Sequence, residues 1–243
     1  MKAVILAGGK GLRLREAIKD IPKPMAPVAG RPFLEYLILQ LIRWDIREMI
    51  LSIGYKGEVI RSYFDNGSKW GVRIEYSEET EPLGTAGALK EAAGLITDEN
   101  FIAMNGDSFF NLDLKTLIGF HEKHNADATI GLVRAGDSGR YGSVKVNGSG
   151  VVAAFTEKGS AGGGEINGGI YILRRSVADS IPPGNVSFET DVLPKLAGNG
   201  LYGMASKGFF IDIGIPGDYF QLCKDHQRLL EPAERGATCT AKQ

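Results

Sequence analysis

The chain opens on a short apolar run, residues 2–7, that stops against Gly8-Gly9. A continuous apolar run of this length, ended by turn residues, predicts a strand buried on both faces. Such a strand needs helices on both sides of its sheet, which leaves only a few layered α/β arrangements open. The stretch that follows is irregular. Across residues 8–31 no clean periodicity emerges; glycines come first, and Pro22, Pro24 and Pro27 come later. An irregular segment this long inside a domain usually serves a function.

Strands and helices then alternate. Leu34, Leu37, Ile38, Leu41 and Ile42 have helical spacing and predict a helix over 33–44. Strands are predicted over 48–53, 72–76, 100–104 and 128–133. Helices are predicted around Val59–Phe64 and over 87–96 and 114–124. This order predicts a mostly parallel sheet with helices on both faces. The second half is richer in β-structure. Residues 143–146 and 151–155 flank Asn147-Gly148-Ser149-Gly150 and read as a hairpin. Further strands are expected over 169–173 and 209–213, and helices over 188–196 and 216–230. Residues 1–230 read as one domain, and 231–243 as a tail that frays.

Composition narrows the function. Lys plus Arg is 28 and Asp plus Glu is 29, a formal net charge of −1, which argues against a nucleic-acid binder. Cys223 and Cys239 alone build neither a disulfide framework nor a structural zinc site. The opening run is too short for a signal peptide, and no stretch approaches the roughly 20 apolar residues of a membrane span. The expected compartment is the cytoplasm, with no membrane partner.

The loop after the first strand carries the first chemical signal. In Leu6-Ala7-Gly8-Gly9-Lys10-Gly11-Leu12-Arg13-Leu14, glycines let backbone N–H groups approach a polyphosphate, and Arg13 offers a two-pronged phosphate contact. No Gly-Lys-Ser/Thr follows, so this is not a Walker loop. Leu14 stands where a dinucleotide fingerprint counted from Gly9 needs its third glycine, which counts against a nicotinamide-dependent oxidoreductase. A tight turn with a solvated Arg explains the glycines equally well. Further on, Pro22-Lys23-Pro24 places a lysine between two prolines, whose restricted backbone aims it as a point charge suited to phosphate.

Together these two segments resemble the signature of the sugar-1-phosphate nucleotidyltransferases. The resemblance continues in order through Pro82-Leu83-Gly84-Thr85-Ala86-Gly87, Asn105-Gly106-Asp107, Phe155-Thr156-Glu157-Lys158, Asn167-Gly168-Gly169-Ile170-Tyr171 and Asp212-Ile213-Gly214. The wording of residues 24–36 looks most like the heptose-1-phosphate guanylyltransferases. Two positions depart from the pattern: Leu12 and Ile215 stand where the family usually has Thr.

The resemblance implies a Rossmann-like α/β fold of the nucleotide-diphospho-sugar transferase type, with a mostly parallel sheet and a smaller β-rich sugar-binding part. It implies nucleotidyl transfer from a nucleoside triphosphate, GTP favoured, to a sugar 1-phosphate, heptose 1-phosphate favoured, with mannose 1-phosphate as the alternative. Leu6, Ala7, Gly8, Gly9, Gly11, Arg13, Lys23, Pro82, Gly84, Thr85 and Asp107 would bind the nucleotide. Arg13, Lys23 and Asp107 would be catalytic, and Asp107 and Asp212 would hold Mg²⁺. Gly142, Glu157, Lys158, Asn167, Gly168, Gly169 and Glu189 would bind the sugar phosphate, with Arg140 a further candidate. A homo-oligomer stays open, as does a non-catalytic homologue that only binds nucleotide-sugar; the complete set of Arg13, Lys23, Asp107 and Asp212 favours the enzyme.

Each residue also has a plainer explanation. Asp107 could cap a turn, Lys158 could be a hairpin charge, Gly168-Gly169 could be a bulge, and Glu189 could answer a helix dipole. His121 and His124 lack the spacing of a zinc protease motif and read as a solvated helix face. Trp44, Tyr63, Phe64 and Trp70 read as packing residues.

Overall fold

In the computed structural model, residues 1–9, 11–14, 18, 20–135, 141–156 and 164–233 are described. Arg140, Glu157 and Lys158, and most of the tail expected to fray, lie outside these residues.

β1 (Ala3–Leu6) leads into two 3₁₀ turns, Leu12–Leu14 and Lys23–Met25, and a small hairpin of β2 (Pro27–Val28) and β3 (Arg31–Pro32). Next come α1 (Phe33–Arg43), β4 (Glu48–Ile53), α2 (Gly57–Phe64), β5 (Arg73–Glu78) and α3 (Gly84–Ala93). Then follow β6 (Asn100–Asn105), β7 (Ser108–Phe110), α4 (Leu114–Lys123), β8 (Ala128–Ala135) and the hairpin of β9 (Val144–Val146) and β10 (Val152–Phe155). β11 (Gly164–Arg174) and α5 (Arg175–Ser180) precede a π-turn at Phe188–Val192 and α6 (Leu193–Leu196). β12 (Leu201–Ser206), β13 (Phe210–Asp212) and α7 (Pro216–Lys224) follow, and a 3₁₀ turn at His226–Leu229 succeeds α7.

The main sheet has seven strands in the order β12-β8-β11-β6-β1-β4-β5. All neighbours run parallel except β11, which is antiparallel to both β6 and β8. Ala3 and Ile5 of β1 enter one core with Phe33, Leu37 and Leu41 of α1, while Val4 enters the other with Ala86 and Leu89 of α3. Those three β1 side chains are 0% exposed, so the strand is buried on both faces as its unbroken apolar run requires. Among the described residues no helix is long and apolar enough to cross a membrane.

The elements differ from expectation where local pattern misleads. The helix expected over 188–196 breaks into a π-turn and a short helix, because Pro194 cannot donate a helical hydrogen bond. The helix expected over 216–230 stops at Lys224 and resumes only as a 3₁₀ turn. β7 and β12 have no counterpart in the sequence reading; the glycine inside Leu201–Ser206 weakens its strand pattern. The Phe64 ring is buried and stacks with Tyr63 at 4.9 Å and Trp70 at 5.1 Å, as packing residues should.

His121 is not on a solvated face. It is 1% exposed, and its Nδ1 lies 2.9 Å from Thr129 Oγ1 of β8. Burial lowers its pKa to about 4, Arg174 adds to the drop and Asp127 opposes it. The native state therefore keeps His121 neutral at pH values where the unfolded chain already binds a proton. This stability is intact above the unfolded pKa near 6.5 and is lost as pH falls toward about 4. The loss should amount to about 3 kcal/mol. Urea unfolding of the wild type and His121→Gln between pH 7 and pH 4 should show a shallower acid limb in the variant. Parallel limbs would place the acid sensitivity elsewhere.

Candidate active site

The loop after β1 is anchored at its root by backbone pairing. Ala7 N donates to Ser52 O at 2.7 Å, Tyr55 N donates to Gly8 O at 3.1 Å, and Gly106 N donates to Leu6 O at 2.9 Å. These bonds hold the loop beside the end of β6, where open α/β sheets place their ligands. Further along, Gly11 has φ +56°, and a Cβ there would lie 2.7 Å from Lys23 Cβ. Glycine at this position lets the two ends of the irregular segment touch.

Lys23 lies in a 3₁₀ turn flanked by its prolines and is 8% exposed. Its Nζ donates to Asp107 Oδ2 at 2.7 Å and lies 3.5 Å from Asp212 Oδ1. The lysine and both acids, far apart in sequence, thus meet at one point. Asp212 does not reach this point from the main parallel sheet. Asp212 ends β13, which pairs antiparallel with β7 in a separate ribbon, with Asp212 opposite Ser108. Ile213 N also donates to Asp107 O at 3.0 Å. Nor does Asp107 cap the next helix: Asp113 does that, its Oδ1 accepting from Thr116 N at 3.1 Å. Burial raises the Asp212 pKa, and the negative charge of Asp107 raises it further; Lys23 and the Gly214 N–H, 2.6 Å away, pull it back.

Two cavities open on either side of this cluster. One, of about 570 Å³, is lined by Leu6, Gly9, Gly11, Arg13, Lys23, Thr85, Asp107 and Glu189, among others. The other, of about 740 Å³, is lined by Gly142, Asn167, Gly169 and Asp212 together with Ser108, Ser143 and Thr156. Asn105, Asp107 and Glu189 belong to both and form the shared wall. Gly169 sits at φ +72° where the register of β11 against β8 shifts, so the bulge and the cavity wall are the same feature. Ala7 is buried, Pro82 is exposed, and Gly8 lines neither cavity. Gly84 lies against Val186, and Gly168 lies against Phe110 and Gly131, so neither glycine opens onto a cavity.

Hydrogen bonds orient the wall. Thr85 Oγ1 donates to Glu189 Oε2 at 2.8 Å and accepts from Phe188 N at 2.7 Å. This tie holds the carboxylate at the cavity edge, beyond what a helix dipole would do. Asn167 Nδ2 donates to Tyr171 Oη at 2.7 Å, and Gly169 N donates to Asn167 Oδ1 at 2.9 Å. Complete burial pushes the Tyr171 phenol well above its usual range, so it stays neutral. Among the described residues Asn105 Oδ1 and Ser108 Oγ are buried without a hydrogen-bond partner, and both residues line the second cavity.

Sequence reasoning missed Ser108 and Ser143, and it did not single out Asn105 or Thr156 within their motifs. Ser143 Oγ and Thr156 Oγ1 lie 2.6 Å apart across the hairpin, a pairing that counting outward from the turn misses because a bulge shifts the register between Val152 and Ala154. Nothing in the sequence marks Ser108.

The chain matches the family described as nucleotidyl transferase over residues 2–228. It is 43% identical over 233 residues to the D-glycero-alpha-D-manno-heptose 1-phosphate guanylyltransferase of Aneurinibacillus thermoaerophilus, covering 95% of this chain and 100% of that protein. It is 39% identical to the mannose-1-phosphate guanylyltransferase of Mycobacterium tuberculosis (strain ATCC 25618 / H37Rv), covering 95% of this chain and 66% of that one. The crystal structure of HddC from Yersinia pseudotuberculosis complexed with GMP-PN superposes with a TM-score of 0.83 at 39% identity, covering 93% of this chain and 99% of that one. Motif order, sheet topology and these matches agree, and the chain belongs to the nucleotidyl transferase family.

Proposed function

We propose that this chain is a sugar-1-phosphate guanylyltransferase that joins GTP to heptose 1-phosphate and releases pyrophosphate. The observation that carries the reading is the shared wall: two cavities meet at Asp107, and a lysine and a second carboxylate converge on it. A two-substrate transfer needs its reactants on either side of such a point. The glycine-loop cavity takes the triphosphate and the β11 cavity takes the sugar phosphate. Full coverage of the heptose-type relative, against 66% of the mannose-type relative, favours heptose over mannose.

In the reaction a sugar-phosphate oxygen attacks the α-phosphorus, a new P–O bond forms, and the bond to the leaving pyrophosphate breaks. The second pKa of a phosphate monoester is near ~6, so the nucleophile is already largely ionised and no protein base is needed. The protein's task is alignment and charge neutralisation. Backbone N–H groups of the loop and the Arg13 guanidinium grip the triphosphate, and Lys23 supplies a point charge. Asn167 and Gly169 offer hydrogen-bonding groups to the sugar. Glu189 is set to accept from sugar or ribose hydroxyls, and Lys158 is assigned to the sugar phosphate by family resemblance. Asp107 and Asp212 are hard oxygen donors of the kind Mg²⁺ prefers, with substrate oxygens completing the set. When bound, the metal supplies charge stabilisation at the phosphates. Residues 1–230 act as one domain in this reading, and the cytoplasm is the compartment.

Pyrophosphate release measured for each nucleoside triphosphate against several sugar 1-phosphates should be fastest with GTP and heptose 1-phosphate. Equal or faster turnover with mannose 1-phosphate would select the alternative. Arg13→Ala and Lys23→Ala should each lower kcat/KM more than tenfold with the fold intact, since a charge-assisted contact contributes about 1.5–3 kcal/mol. Near-normal turnover in both would make the loop a mere connector. Asp107→Asn and Asp212→Asn should each abolish turnover. Because Asp212 is a buried acid beside another, its replacement should leave Tm unchanged or slightly higher. Full Mg²⁺-dependent activity in Asp212→Asn would leave Asp107 as the sole acid.

A further inference from the structure

The two carboxylates assigned to a divalent cation already share a cation. The Lys23 ammonium is 2.7 Å from Asp107 Oδ2 and 3.5 Å from Asp212 Oδ1, and the lysine side chain is 9% exposed. Its backbone has little freedom. Met25 N donates to Pro22 O at 2.8 Å and Ala26 N to Lys23 O at 3.0 Å, which closes the turn between the prolines. The Cβ end of the side chain packs against Gly11, and Gly214 lies beside the ammonium. A fixed base with a flexible end suits a side chain that moves between two partners, and a compact ammonium on a four-carbon stem can do this better than a guanidinium.

We propose that Lys23 is a built-in counter-cation: without nucleotide, its ammonium occupies the cation position between Asp107 and Asp212, and the arriving triphosphate draws it away. The inference rests on the two-acid reading above and adds a binding order to it. Two carboxylates this close repel each other unless a cation lies between them. A divalent metal arriving alone must break two ion pairs to enter and leaves the lysine unpaired in a confined site. A triphosphate changes both terms, since its oxygens give the lysine a new partner and give the metal the ligands the protein lacks. Metal and triphosphate therefore bind with positive coupling, and linkage makes the coupling equal in both directions. Lys23 then has two opposite effects: it weakens metal binding in the free protein and strengthens triphosphate binding.

The test is a Mn²⁺ titration of the full chain, followed by the electron paramagnetic resonance of free Mn²⁺. It is run without nucleotide and again with a GTP analogue whose α–β linkage cannot be cleaved. Lys23→Met should tighten nucleotide-free Mn²⁺ binding by about tenfold, and Lys23→Gln should act in the same direction. Arg13→Met removes an equal charge from the same cavity and should change it by less than about threefold. The tightening brought by the analogue should shrink in Lys23→Met by about the factor gained without it. Unchanged or weaker Mn²⁺ binding in both Lys23 variants, or equal tightening in Arg13→Met, overturns the proposal. Asp212→Asn separates the two layers. If it weakens Mn²⁺ binding while the Lys23 variants do not tighten it, the two-acid reading survives and the counter-cation does not. If it changes Mn²⁺ binding neither with nor without the analogue, both fall.

Discussion

The whole site depends on β1 being hydrogen-bonded in parallel on both sides. Leu6 is in register with Ser52 of β4 and with Asn105 of β6, so three strands end at one level and their loops leave from one edge. Complete burial holds that register, since slipping β1 by one residue would exchange Ala3 and Ile5 with Val4 between two different cores. Burying a side chain such as Ile5 contributes about 1.5–3 kcal/mol, and the slip would forfeit several such terms at once. The glycine loop therefore starts from a rigid base, and the Gly106 N–H bond to Leu6 O ties it to the segment that carries Asp107.

Charge is organised on that base by a second, smaller device. The ribbon of β7 and β13 lies outside the main sheet, yet it sets Asp212 opposite Ser108 and next to Asp107. Rings support the ribbon: Phe109 and Phe209 are 6.3 Å apart, as are Phe110 and Phe210. Lys23 then completes a cluster whose members come from three distant parts of the chain. Lys23 is largely shielded from water while Asp107 stays 44% exposed at the cavity wall, so the lysine charge acts more strongly on a phosphate than an exposed one would.

The antiparallel strand β11 makes the second cavity. Between two parallel blocks it starts at the sheet edge that carries the site and runs away from it, and its early bulge brings Gly169 and Asn167 beside Asn105 and Asp107. Thr85 and Glu189 close the wall from the other side, joining the start of α3 to a π-turn more than a hundred residues later. Pro194, which cannot donate a helical hydrogen bond, lies in the short helix just after the π-turn that carries Glu189.

Some of this was legible in the residues themselves. A buried first strand, a glycine loop, alternation into a mostly parallel sheet and a lysine aimed by two prolines depend on contiguous residues, whose spacing and backbone restriction carry the information. Family motifs in order then supplied Asp107, Asp212 and Asn167 as candidates, and the wider resemblance added Glu189. The tertiary structure alone decided that Asp212 arrives on an antiparallel ribbon, that Lys23 lies between the two acids, that Gly168 packs while Gly169 lines the cavity, and that His121 is a core residue. Each of those outcomes depends on which distant backbone lies alongside, and on the burial that results. Residue identity records a side chain's chemistry and its neighbours in sequence; the partner across a ribbon or beneath a helix is set only when long-range pairing chooses a register.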